Sequence, residues 1–338
     1  MAQAASLRRR GGGPEPRSPP RRGTEACSVS GPPWRCVAAA AVAFQAVLLV
    51  LMLKMDFWGG GALAGLFART AWASSSNVLR SPLQQNVSCA ESAMLVRGSC
   101  HSPRRSGRCA RFVVDDALRD NDLQELVGLV RWLIREAWGA GAGPPSVIDL
   151  HANTISYKDK FVDLESLMEF KSLNFTDSQI RAYSAVRWEV RRLVADLFGI
   201  PVQELRHDLT FFSHINASKV AQTPHDEYWH THTDTEQYGT FSYTALVYLS
   251  TMRQDFDGGE FIFEGAHNET VEPRFGRLVT FTSDAENPHR VEKVSRGVRV
   301  ALTAAFTCDT EKAASIEPFP KSTVMASDET ESELGSEA

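Results

Sequence analysis

The stretch "WHTHTD", residues 229–234, sets His230, His232 and Asp234 at alternate positions. Side chains on a strand alternate between its faces, so on a strand all three would point the same way. Imidazoles and a carboxylate sharing a face are metal ligands in waiting, and a mononuclear site completes its set from another element. Two questions follow: which of the three bind, and where the remaining ligand lies.

The flanking sequence is strand-like. The runs "ELRHDLTFFSHINA", "FSYTALVYLS", "GGEFIFEG", "RLVTFTS", "HRVEKV" and "VRVALTAAFTC" are short, β-branched or aromatic, and separated by Gly, Asp, Asn or Pro. Upstream the period changes. In "DNDLQELVGLVRWLIREAWGAG" the apolar residues Leu123, Leu126, Val127, Val130, Leu133, Ile134 and Ala137 follow a helical spacing, and Asp122 with Glu125 reads as a capping box. "SVIDL" reads as a short buried strand. A second helix is expected in "TDSQIRAYSAVRWEVRRLVADLFG", capped by Thr176 with Gln179 and ended by Gly199 and Pro201. Its apolar stripe, including Tyr183, Val186 and Val190, reads as core. Helices followed by many strands predict an α+β fold, with helices packed on one sheet of a jelly roll.

The missing ligand must come from this strand region. His207 and His214 precede the motif, His225 leads into it, and His267 adjoins a sequon. His289, in "SDAENPHRVEKVSRGVRV", opens a strand after a turn and has Arg299 ten positions on. If the two lie on neighbouring antiparallel strands, both face into one barrel. A cation inside a barrel needs an anion, and a guanidinium suits a bidentate grip on a ligand carboxylate. His232, Asp234 and His289 fit the two-histidine, one-carboxylate triad of non-haem Fe(II) oxygenases.

With these pieces in order ("HTD", "TALVYLS", "DGGEFIF", "PRFGRLVTF", "NPHRVEKVSRGVR" and "ALTAAF"), residues 205–308 resemble 2-oxoglutarate- and Fe(II)-dependent oxygenases of the prolyl 4-hydroxylase type. The resemblance implies a double-stranded β-helix, Fe(2+), 2-oxoglutarate as cosubstrate, O2, and L-ascorbate to rescue oxidised iron. It implies Arg299 as the grip on the far carboxylate of 2-oxoglutarate. His230 is left as a surface or supporting histidine. Trp229 stands where such hydroxylases carry a tyrosine three before the metal histidine, so Tyr228 or Tyr243 is expected to offer the hydroxyl to the cosubstrate. The implied substrate is a prolyl or lysyl side chain of a protein in the secretory pathway. Two rival readings differ in what they ask of the residues. A cupin-type site would use His230 and Glu236 as ligands and give Arg299 no task. A catalytically inactive lumenal binding module would need neither.

The chain has 338 residues, 43% of them hydrophobic, and a formal net charge of −5, which gives no sign of nucleic-acid binding. Residues 1–35 are basic and expected to be a disordered tail; Arg8, Arg9, Arg10, Arg17, Arg21, Arg22 and Arg35 face only Glu15 and Glu25. "CVAAAAVAFQAVLLVLML" then carries no charge and approaches the ~20 residues that a bilayer needs. Residues 36–54 are therefore expected to be a transmembrane signal anchor. The arginines before it predict a single-pass type II orientation, with the remainder lumenal in the endoplasmic reticulum or Golgi. The sequons at Asn86, Asn174, Asn216 and Asn268 all follow the anchor. So do Cys89, Cys100, Cys109 and Cys308, an even set that an oxidising compartment would bridge in one of three ways. The expected organisation is a stem over 55–110, a helical support region over 111–204, the jelly-roll core over 205–310 and an acidic disordered tail over 311–338.

Overall fold

A computed structural model describes residues 71–90, 100, 109–311 and 313. The expected basic tail, the anchor over 36–54 and nearly all of the acidic tail lie outside the described residues. Among those described, no helix is long and apolar enough to cross a membrane.

The elements run β1 (Leu83–Val87), β2 (Cys109–Val114), α1 (Asp120–Glu136), β3 (Pro145–Asp149), β4 (Thr154–Tyr157), β5 (Lys160–Asp163), α2 (Leu164–Lys171), α3 (Asp177–Phe198) and β6 (Arg206–Asn216). After α4 (Asp234–Tyr238) come β7 (Tyr243–Tyr248), β8 (Phe256–Gly258), β9 (Phe261–Phe263), β10 (Glu269–Val271), β11 (Leu278–Thr282), β12 (His289–Val291) and β13 (Val294–Thr307). One large sheet has the order β1-β2-β11-β7-β13-β6-β3-β4-β5, with β8 also on β13; a small sheet has the order β10-β9-β12. The strand pairs are antiparallel, and the two-sheet core fits a jelly roll.

Strand alternation gives the large sheet two working faces. Toward the helices, Val247, Leu302, Ala304 and Phe306 join Leu126, Val130, Val186 and Val190 in one core cluster. Toward the small sheet, Leu246, Val279, Phe281 and Ala301 meet Phe261, Phe263 and Val271 in a second. Burying each large apolar side chain stabilises the fold by roughly 1.5–3 kcal/mol.

The expected cap of α3 is present. Thr176 Oγ1 accepts from the Gln179 amide at 3.2 Å, and Gln179 Oε1 accepts from the Thr176 amide at 2.9 Å. Gly199 closes the helix at φ 67°, where a β-carbon would be strained. The cap expected for α1 is corrected. That helix starts at Asp120, behind Arg119, and no side chain caps it. The Asp122 carboxylate instead accepts from Arg119 Nε at 2.7 Å.

The stretch expected to be a stem, 55–110, holds β1 and the first two residues of β2. β2 inserts between β1 and β11, and all six of its residues are buried. A strand buried on both faces has no alternation to read. Cys89 pairs with Cys109 beside this strand, and Cys100 pairs with Cys308 just past the end of β13. Ala73 also reaches the small sheet, where its carbonyl accepts from the Glu272 amide at 2.9 Å.

Candidate metal centre and cosubstrate pocket

The site lies between the two sheets, in a cavity of about 140 Å³. The opening motif is not a strand. His232 makes an isolated antiparallel bridge with His289, and Asp234 begins the single-turn helix α4. The two backbones are pinned reciprocally: His232 N donates to His289 O at 3.0 Å, and His289 N donates to His232 O at 2.9 Å. One ligand atom from each of His232, Asp234 and His289 lies within 4.8 Å of the others.

Each side chain of this group is already oriented. His232 Nδ1 faces the His230 carbonyl at 3.0 Å, and His289 Nδ1 faces the Asn287 carbonyl at 2.9 Å. A carbonyl oxygen only accepts, so both Nδ1 atoms carry the proton and both Nε2 atoms keep a lone pair for a metal. Asp234 Oδ2 accepts from Thr244 Oγ1 at 2.5 Å, and the same hydroxyl meets Ser283 Oγ at 2.8 Å. Asp234 Oδ1 is left 3.6 Å from His289 Nε2 and 3.9 Å from His232 Nε2. Burial lowers the pKa of His289, which keeps its imidazole in the neutral form that ligates. This donor set, two neutral imidazoles and one carboxylate with an open side, fits Fe(II).

His289 and Arg299 are not on neighbouring strands. β12 belongs to the small sheet and β13 to the large one, so they reach the cavity from opposite walls. Arg299 is 1% exposed, and among the described residues no carboxylate pairs with it. Its Nε donates to the Gly259 carbonyl at 3.1 Å, its guanidinium lies 5.2 Å from the Tyr248 ring centre, and its buried Nη2 has no hydrogen-bond partner. Gly259 is required here: its φ is +71°, and a β-carbon would lie 2.9 Å from Arg299 Cδ. A buried guanidinium with a spare N–H group beside an open cavity fits a ligand carboxylate.

Tyr228 lines this cavity, and its hydroxyl accepts from the Val294 amide at 2.8 Å. Tyr243 does not line it. Alternation along β7 sends Thr244 and Leu246 into the cavity and Tyr243 to the helix side, where its ring centre is 4.7 Å from that of Phe198. Its expected contact with a cosubstrate is corrected on that ground. His230 turns outward to Glu227, Nε2 to Oε2 2.6 Å, and Glu236 is exposed, so the ligand set of a cupin-type site is not assembled. Thr244 and Ser283, which hold Asp234, escaped the sequence reading; the only available signal was their place in strand-like runs. Asn86, Asn174 and Asn268 are exposed and Asn216 is half-buried.

Residues 218–307 match the model of the 2OG-Fe(II) oxygenase superfamily. The human 2-oxoglutarate and iron-dependent oxygenase domain-containing protein 3 is 36% identical over 292 residues, which cover 85% of this chain and 87% of that protein. Its counterpart from Xenopus tropicalis is 43% identical over 210 residues, 61% of this chain and 65% of that one. Prolyl 3-hydroxylase 2 from Gallus gallus is 41% identical over 145 residues, 41% of this chain and 20% of that one.

Proposed function

The chain belongs to the 2OG-Fe(II) oxygenase superfamily, and from that premise we propose that it is a membrane-anchored lumenal dioxygenase acting on a protein side chain. It is a 2-oxoglutarate-dependent enzyme whose cofactor set is Fe(II), 2-oxoglutarate and O2. His232, Asp234 and His289 would hold the iron. When bound, Fe(II) supplies the redox chemistry that couples O2 to the decarboxylation of 2-oxoglutarate to succinate and to hydroxylation of the substrate. The chain's residues orient and shield. Thr244 and the two backbone carbonyls fix the ligand atoms, and Arg299 would take the far carboxylate of 2-oxoglutarate. Tyr228 lines the same cavity.

One observation carries this reading: Arg299 is a buried cation with no carboxylate partner among the described residues, in the cavity that holds the triad. An uncompensated buried charge costs several kcal/mol. A carboxylate of a ligand bound in this cavity would remove that cost, whereas a metal site without a cosubstrate leaves it. The purified full-length chain, given Fe(II), should release succinate from 2-oxoglutarate, and Asp234→Ala should not. Equal release by parent and variant, or none by the parent, would overturn the reading.

The anchor over 36–54, the type II orientation and modification at the sequons belong to the same proposal. Their support is the arginine-rich flank and the two disulfides, which suit an oxidising lumen. Endoglycosidase should lower the apparent mass, and sealed microsomes should protect the C-terminus from protease. A prolyl or lysyl side chain is the proposed substrate class, prompted by the similarity to a protein named prolyl 3-hydroxylase 2. L-ascorbate is the proposed reductant for iron oxidised in unproductive turnover.

A further inference from the structure

A buried chain of hydrogen bonds reaches His289 from β2, outside residues 218–307. Arg111, on β2, is 5% exposed. Its Nε donates to Asn287 Oδ1 at 2.5 Å and its Nη1 to Gln85 Oε1 at 3.2 Å, while its guanidinium lies 4.3 Å from the centre of the Phe263 ring. Asn287 is fully buried, and its Nδ2 donates to Thr282 O at 2.7 Å and Thr282 Oγ1 at 2.9 Å. The side chain of Asn287 is thus held from both ends. Its main-chain carbonyl is the group that accepts from His289 Nδ1. The other faces of the imidazole are packed by Phe261, at 4.9 Å and nearly parallel, and by Phe281, edge-on at 4.9 Å.

We propose that Arg111 is a positioning residue for the metal ligand His289, acting through Asn287. The inference rests on the metal site proposed above. The bond to Asn287 Oδ1 is charge-assisted, the stronger kind. Without it the carboxamide keeps only its anchors on Thr282, and the turn that presents the Asn287 carbonyl loses one of its restraints. The His289 ring then loses definition in both orientation and tautomer. Outer partners of this kind typically contribute about 10–100-fold to metal affinity. The arrangement also assigns a task to β2: it supplies a fixed cation to the Asn287 side chain, in the turn that precedes His289. The Cys89–Cys109 bridge holds the same strand at its start.

The test uses Co(II) as a spectroscopic stand-in for Fe(II), bound to the full-length chain. Affinity and the visible ligand-field bands are read for the parent, Arg111→Gln, Arg111→Lys, Asn287→Ala and the double variant Arg111→Gln/Asn287→Ala. Thermal unfolding of each metal-free protein is measured beside them. The expected result for Arg111→Gln is a tenfold or greater loss of Co(II) affinity with altered bands, from a chain that still unfolds cooperatively. Arg111→Lys should recover part of that loss. The double variant should be no worse than Asn287→Ala, because both substitutions cut one path. Parental affinity and bands in a folded Arg111→Gln, or additive losses in the double variant, would overturn the proposal. If Arg111→Gln does not fold, Arg111→Lys and Asn287→Ala decide: parental bands and affinity in both overturn it. Asp234→Ala separates the two levels of inference. If the parent binds no Co(II) that this substitution removes, the metal-site reading itself has failed.

Discussion

The two faces of β13 do opposite work. Toward the helices, Leu302, Ala304 and Phe306 sit in an apolar cluster with α1 and α3. Toward the small sheet, Arg299 and Thr303 line the cavity that holds His232, Asp234 and His289. β7 divides in the same way, with Tyr243 against Phe198 on one side and Thr244 against Asp234 on the other. The difference teaches that one strand can carry stability and chemistry separately, because the period of two keeps their side chains apart. A substitution on the helix face should cost folding energy and leave ligand binding intact. A substitution on the cavity face should do the reverse.

The strongest test of that separation is Asp234→Ala. It removes the only anionic group of the triad. Iron content per chain and succinate release should both fall to background, while the circular dichroism spectrum stays parental. Loss of fold along with iron would mean that the cavity face is structural and would break the comparison.

Arg299→Ala and Leu302→Ala, three residues apart on β13, sharpen it. The first removes the proposed partner of the 2-oxoglutarate carboxylate, and such a loss costs on the order of 2–5 kcal/mol of binding. The apparent affinity for 2-oxoglutarate should fall at least tenfold while iron is retained. The second opens a cavity beneath α1 and α3 and should cost about 2–5 kcal/mol of stability in denaturant unfolding. Its affinity for 2-oxoglutarate should be unchanged once the chain is folded.

How far these faces were legible follows from the same periodicity. The helix-face stripe of α3 and its Thr176–Gln179 cap were open to reading because both depend on local spacing alone. The grouping of His232, Asp234 and His289 was also open to reading, although the motif is a bridge residue followed by a helix start. A two-residue offset still brings His232 and Asp234 together at that junction. Tyr243 was misread because one residue of register decides which face a β7 side chain takes. Arg299 was placed beside His289 by closeness in sequence, whereas it faces His289 from the other sheet. The expected stem over 55–110 contains β1 and the first two residues of β2, and the remainder of β2 falls in the expected helical region, because "CARFVV" is buried throughout and shows no alternation to read. The pairing Cys89–Cys109 and Cys100–Cys308 depends on where β2 and the end of β13 lie, which spacing does not encode.

Acid should act on the helix side through histidines that the chemistry does not use. Burial first, and then the nearby Arg187, pull the pKa of His207 down to about 2; burial pulls that of His214 down to about 4. In the unfolded chain both take up a proton near pH 6.5. Between pH 6.5 and the lowered values the unfolded state binds more protons, so stability rises with pH across that window. The stabilisation is complete above about pH 6.5 and is lost as pH falls, at up to about 1.4 kcal/mol per pH unit for each histidine. Denaturant midpoints of the metal-free chain at a series of pH values should show this slope, and His207→Gln should flatten it. An unchanged slope in that variant would remove His207 from the account.

The smallest effect is expected at His230, although it stands in the same motif as the ligands. Its side chain turns to solvent and pairs with Glu227, an exposed contact of a kind that contributes about 0–1 kcal/mol. Only its main-chain carbonyl serves the site, by accepting from His232 Nδ1. His230→Ala keeps that carbonyl and removes the imidazole. Iron content and succinate release should therefore stay within about twofold of the parent, and stability within about 1 kcal/mol. Glu236→Ala should behave alike, since that side chain is exposed. If His230→Ala strips the metal while Arg299→Ala changes nothing, the ligand set is the one of a cupin-type site. The division of β13 into a stabilising and a chemical face would then lose its chemical half.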